Sequence, residues 1–230
     1  MAMLGKIRAT IIELGFVDAL VYGAGLALGK CSRKAAIYRY ALMAQPVPER
    51  PLLPGRRGSD IAVRLMREPG FSMTPLGLAP AVVHYRYGQG ALCFAAFKKD
   101  ALVGALWICP GSYEEDEVRC RFVPTPPGSS CWDLGIYVDP EHRGGIVLAR
   151  LWDEANAYLR GRGIGWSLSR IGTVNRLSIA SHERLGARRI GTATYLCYRR
   201  AQFMIATVAP YLHFSLASRS KPTLKLHSPS

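Results

Sequence analysis

Between residues 132 and 198 the chain switches twice between strand-like and helix-like patterning, which narrows the folds open to it more than any other feature. WDLGIYV (132–138) has strand composition and runs into a turn at Gly144-Gly145. From Ile146 to Arg160 the apolar residues Leu148, Leu151, Trp152, Ala155, Tyr158 and Leu159 recur at helical spacing. WSLSRI (166–171) is a strand again, Asn175 to Leu185 is a helix that Asn175 can cap and Gly186 can close, and RRIGTATYLCYRR returns as a strand. Two strands joined through a helix with short connections must lie parallel, and the crossover helix must cover a sheet face. Upstream, ALCFAAF and ALVGALWI flank Lys98-Lys99-Asp100 as an antiparallel hairpin. The sum is an α/β chain of the α+β mixed-sheet kind, with antiparallel strands, one parallel β-α-β pair, and helices on both faces.

The remaining segments divide by composition. Residues 9–29 are mostly apolar and flanked by Lys6, Arg8, Lys30, Arg33 and Lys34, but Glu13, Asp18 and four glycines interrupt them, which disfavours a signal peptide or a spanning helix. Residues 1–50 therefore read as an amphipathic helical segment, either lying on an anionic membrane face or packed on the domain. The prolines at 46, 48, 51 and 54 and the basic Gly turn after them mark residues 51–75 as a linker. Residues 76–200 form the folded domain and 201–230 an apolar extension. AVVHYRY after the linker reads as a strand whose lone His84 is structural, and Glu114-Glu115-Asp116-Glu117 as a solvated loop.

Thirty Lys and Arg against sixteen Asp and Glu give a net charge of +14, a field that draws anionic partners. No aromatic-interleaved basic motif accompanies it, so nucleic acid is disfavoured. Six cysteines stand apart with no C-x-x-C pair and no matching histidines, which reads as reduced thiols in the cytosol, with no disulfide and no metal site.

Two motifs resemble the GNAT superfamily of acyl-CoA-dependent N-acyltransferases over about residues 76–200: LGIYVDPEHRGG (134–145), similar to the strand and turn that cradle the CoA pyrophosphate there, and NRLSIASHERLGARRIG (175–191). The turn departs from the family spacing at Ile146 and Leu148, or at Val147 if counted from His142, and Ala187 stands where the family usually has Phe. The resemblance implies a GNAT-like sheet whose parallel pair splays into an acyl-CoA cleft, with main chain at Ile136 and Val138 receiving the pantetheine arm. Independently of the family, a strand running through a Gly turn into a helix offers free N–H groups and a positive dipole end to an anion. Arg143, Gly144 and Gly145 are the residues there, and Asn175 and Ser178 follow on the second helix.

Amide formation from a thioester requires a deprotonated amine, a stabilised oxyanion and a proton for the leaving sulfur. His182 lies two helical turns after Asn175 on one stripe with Ser178, where the family commonly has a Tyr that protonates the sulfur, so His182 is the candidate acid. Asp133 is the nearest carboxylate, yet strand alternation sets it on the face opposite Ile136 unless a bulge reverses the parity. Water, the 114–117 loop and His142 remain open as routes for the amine proton. The resemblance implies an acyl-CoA or acyl-carrier thioester as co-substrate. The apolar appendages favour a long acyl chain and a lipid amine at the inner face of a membrane, with an acidic carrier protein as a further partner. A cytosolic acetyltransferase of small or protein amines and a non-catalytic acyl-CoA or lipid binder are the alternatives.

Overall fold

The computed structural model describes residues 2–68, 70, 73, 77–217 and 219–229, with backbone only for 2–7. In chain order the elements are α1 (Ala2–Leu14), α2 (Phe16–Cys31), β1 (Ala35–Pro46), β2 (Ala62–Met66), α3 (Pro80–Gly88), β3 (Leu92–Lys98), β4 (Ala101–Cys109), β5 (Tyr113–Glu114), β6 (Arg121–Thr125), β7 (Ser130–Val138), α4 (Ile146–Arg160), β8 (Trp166–Gly172), α5 (Arg176–Arg184), β9 (Arg188–Tyr198), β10 (Ala201–Ala206), β11 (Leu212–Ser215) and β12 (Thr223–His227). A nine-stranded sheet runs β11-β10-β9-β1-β8-β7-β4-β3-β2, and β12-β6-β5 form a second, small sheet. Within the large sheet β7 and β8 are parallel, whereas β3 and β4, and β9 and β10, pair antiparallel.

Each face of the large sheet has its own apolar cluster. On one, Leu151, Trp152, Ala155 and Leu159 of α4 pack on Phe94, Leu106, Ile108 and Cys131, and Ile179 of α5 joins Ala41, Met43 and Ile171. On the other, Trp107, Trp132, Leu168, Tyr195 and Met204 meet α3 and the small sheet. Phe122 stacks on Trp132 there, with centroids 4.4 Å apart. Gly104 is where α4 comes closest: a Cβ on it would stand 2.9 Å from the Tyr137 carbonyl oxygen and 3.0 Å from Val147 Cγ1.

Several expectations need correction. Residues 35–46 are not part of an appendage but a central strand, paired antiparallel with β8 from Tyr40/Gly172 to Pro46/Trp166 and with β9 from Ala35/Tyr198 onwards. IYRYALMA is rich in β-formers and, apart from Arg39, which pairs with Asp18, apolar on both faces, as suits an interior strand. The apolar N-terminal stretch is two helices broken at Gly15, whose φ of +82° ends the first. No helix among the described residues is long and apolar enough to cross a membrane. The 51–75 linker lies partly outside the described residues, and its 62–66 part is the edge strand β2 on β3. AVVHYRY is the helix α3, not a strand; Pro80 occupies its first turn and only Val83 is buried, and proline pre-sets a helical start. The extension adds β10 and β11 to the large sheet and β12 to the small one.

Candidate functional site

The pairing of β7 with β8 begins at Ser130/Trp166 and ends at Asp133/Ser169. Beyond that point β7 is bonded only to β4, through Gly104/Val138 to Trp107/Gly135. The main chain of 134–138 on its β8 side is therefore an open edge inside the sheet. A mixed sheet whose one parallel pair parts in this way is the arrangement that the resemblance to the GNAT superfamily implies.

At the point of parting, β7 carries a bulge: Ile108 pairs with Asp133 and Trp107 with Gly135, so Leu134 is the extra residue, and Gly135 holds φ +145°. The bulge reverses the side-chain alternation. Leu134 and Tyr137 pack with the Trp132 cluster, whereas Ile136 and Val138 pack with α4. Asp133, neighbouring Cys131 on the same strand parity, thus shares the α4 face with Ile136 instead of opposing it.

Asp133 is 3% exposed. Its Oδ1 accepts the Gly135 N–H at 2.9 Å, and its Oδ2 stands 4.0 Å from His182 Nε2. His182 Nδ1 lies 3.0 Å from Gln45 Oε1 on β1, and Nε2 faces the carboxyl. The ring stands edge-on to Trp152, 6.0 Å away. Burial pushes the Asp133 carboxyl up to about 7 and lowers His182 to about 4. The sequence sets His182 on a stripe with Asn175 and Ser178 as the candidate acid; its side chain points inward, because α5 turns that flank onto β1 and Trp152. Asn175 does cap α5, accepting the Ser178 N–H at 3.1 Å.

The turn after β7 is one 3-10 turn, Pro140–His142, capped by Asp139. Arg143 folds back, its Nε 3.3 Å from the Val138 carbonyl. Gly145 caps α4 with φ +90° and no side-chain hydrogen bond, and the first helical bond is Ala149 N–H to Gly145 O at 2.9 Å. The N–H groups of Ile146, Val147 and Leu148 therefore lie ahead of the helical ladder. A Cβ at Gly144 or Gly145 would meet nothing within 4 Å. Val147 is buried and Ile146 and Leu148 lean on the same core, so the departures from the family spacing face away from the bare glycines. These residues fit a phosphate.

A cavity of about 520 Å³ opens where β8 ends, between α2, β1 and the start of α5. Tyr38, Tyr40, Glu117, Arg170 and Asn175 line its polar side, and Val21, Leu26 and Ile37 its apolar side. The 114–117 loop is not simply solvated. Glu115 is buried and takes Arg170 on both oxygens, at 2.5 and 2.7 Å; burial raises its carboxyl, and the guanidinium more than offsets this, holding it at about 2. Glu117 accepts Tyr40 OH at 2.5 Å and lies 3.2 Å from Arg170 Nη1. Arg170 thus holds two carboxylates at once, Glu115 behind the wall and Glu117 on it. Asp116, raised to about 6 by burial and then by Glu115, faces Arg86 at 3.5 Å. The sequence offers this loop only as one of three routes for the amine proton; what it does not reveal is the ion cluster with Arg170 and Tyr40. The signal was Arg170 inside an otherwise uncharged strand, since a buried arginine requires a carboxylate partner.

No protein-family model and no curated protein matches the chain. Among solved structures, a tandem GNAT protein from the clavulanic acid biosynthesis pathway is 15% identical and aligns over 76% of this chain and 58% of its own length, with a TM-score of 0.48. A ribosomal-protein-alanine N-acetyltransferase from Brucella melitensis biovar Abortus 2308 is 20% identical over 54% of this chain and 90% of its own, TM-score 0.38. An aminoglycoside acetyltransferase from an uncultured soil metagenomic sample is 14% identical over 55% and 88%, TM-score 0.39. This chain thus spans little more than half the length of the tandem protein.

Proposed function

We propose that the chain is an N-acyltransferase that moves a long acyl group from a CoA or carrier-protein thioester to a lipophilic amine at a membrane surface. The observation that carries the reading is the parting of β7 from β8 after Asp133/Ser169, beside the bare turn Gly144-Gly145 at the head of α4. A thioester arm can pair with the open edge of β7 as an added strand would, and its phosphates can take the free N–H groups of α4. The apolar side of the cavity supports a lipophilic acceptor, and each buried methylene adds about 0.8 kcal/mol.

In this reading the amine nitrogen bonds to the thioester carbon, the C–S bond breaks, and one proton from nitrogen ends on sulfur. Glu117 takes the proton that makes the amine nucleophilic, with Tyr40 and Arg170 fixing its orientation. Asp133 and His182, both buried on the α4 side of the sheet, are positioning residues: Asp133 holds the Gly135 N–H and so the bulge that opens the cleft. Thiol release from palmitoyl-CoA and from acetyl-CoA, with and without a long-chain primary amine, tests the whole. Amine-dependent release with palmitoyl-CoA is expected. Glu117→Gln should cut kcat about a hundredfold with the acyl-CoA Kd unchanged. Release with acetyl-CoA alone would shift the reading to a small-amine acetyltransferase, and binding of neither thioester would end it.

A further inference from the structure

Antiparallel strands at the margin of a domain ordinarily turn polar side chains to water on the face away from the core. β9, β10 and β11 do not. Their inner face is the core, with Tyr195 and Met204 buried. Their outer face is also apolar, and in register: Leu196 pairs with Phe203 and Phe203 with Phe214, while Ile205 pairs with Leu212 in the next row. Leu196 is 42% exposed, Ile205 52%, and Leu212 and Phe214 62% each. The outer flank of α2 continues this surface, with Leu20 57% exposed and Leu20, Leu196, Phe203 and Ile205 sharing one groove of about 380 Å³. A contiguous apolar patch of this kind marks an interaction surface.

The segments that supply it carry an excess of cations, and the one acid on α2, Asp18, is buried against Arg39. Residues 19–48, which supply most of α2 and all of β1, contain four Lys or Arg and no Asp or Glu; residues 184–230, which supply β9 to β11, contain eight and none. At one end of the patch the β9–β10 turn sets exposed Arg199 and Arg200 against exposed Lys34, the Arg199 N–H donating to the Lys34 carbonyl at 3.0 Å. Lys30 closes the last turn of α2 near the same end. An apolar face with a basic rim at one end matches a bilayer carrying anionic lipid, which takes apolar side chains into its boundary and cations at its headgroups. A second copy of the chain matches poorly, because a two-fold contact through this face would bring the rim against itself.

We infer that the outer face of β9–β11 together with the outer flank of α2 is the surface by which the protein docks on an anionic lipid bilayer. The inference shares only its location with the acyltransferase reading, and vesicle binding tests it without turnover. The full chain is floated with vesicles of phosphatidylcholine alone and of phosphatidylcholine with 30% phosphatidylserine. At least tenfold stronger partitioning to the anionic vesicles is expected, falling with added salt. Ile205→Asp with Phe214→Asp should lower it at least tenfold with far-UV dichroism unchanged. Arg199→Gln with Arg200→Gln, which leaves the apolar face intact, should lower it severalfold and flatten the salt dependence. No preference for anionic vesicles, or binding unaltered in both double variants, overturns the assignment. So does a parent that ignores vesicles and sediments as a dimer that the Ile205/Phe214 variant dissociates, since the face then joins two copies.

Discussion

Asp133 and His182 bury two titratable groups in contact, and burial moves them in opposite directions. Asp133, raised to about 7, keeps a proton that the unfolded carboxyl releases near pH ~4, so its contribution to stability is full at low pH and is lost as pH rises towards 7. His182, lowered to about 4, stays neutral where the unfolded ring is protonated, so its contribution is present above about pH 6.5 and is lost as pH falls towards 4. Between pH 4.5 and 6.5 the two trends oppose each other. Asp133→Asn, which can still accept the Gly135 N–H, removes one of them. Its stability relative to the parent, by urea unfolding, should rise by about 2 kcal/mol from pH 4.5 to 6.5. Parallel pH profiles for the two proteins would show that Asp133 is ionised throughout. Arg170 is a different case: with Glu115 buried against it, Arg170→Leu leaves a carboxylate without its partner and should cost about 3–5 kcal/mol, read as a fall in the urea midpoint.

At the scale of elements, the unit β7–α4–β8 depends on one close approach. Gly104 lets α4 settle on β4, and a side chain there must displace either the Tyr137 carbonyl or Val147 and Leu151. Gly104→Val is expected to destabilise by about 1–3 kcal/mol and, by shifting the head of α4, to weaken acyl-CoA binding; calorimetry showing affinity unchanged would separate α4 from the site. This unit was also the most legible in the sequence. The period of α4, the cap at Asn175 and the glycine at 186 are local signals, and each element lies where its own residues ask. What could not be read there depends on distant partners. Whether IYRYALMA is a strand inside the sheet or part of a tether is decided by β8 and β9. The 114–117 loop is tied to the sheet and not a solvated bend because Arg170 and Tyr40 come to it from other strands. His182 is inward because Gln45 and Trp152 receive it. The bulge at Leu134 was foreseeable only as a possibility, since its trigger is the pairing with Trp107 and Ile108.

For the molecule as a whole, the placing of β1 changes what can be removed. Deletion of residues 1–34 takes away α1 and α2 and with them the Asp18–Arg39 ion pair at 2.6 Å, but leaves every strand. It should retain the dichroism of the sheet, with vesicle binding reduced. Deletion of residues 1–50 removes the strand between β8 and β9 and should yield an insoluble or unfolded chain; a soluble, cooperatively unfolding product would mean that β8 and β9 can close on each other. The position of β1 also bears on how the protein is born. A ribosome makes residues 35–46 early and the two strands that flank them, 166–172 and 188–198, late. During synthesis the doubly apolar IYRYALMA therefore has neither neighbour, and the sheet cannot close until the chain has emerged past Tyr198. Such non-local pairing is slow and leaves a sticky edge in waiting. Until residues 188–198 have emerged, the apolar faces of 35–46 stay open to association with other chains.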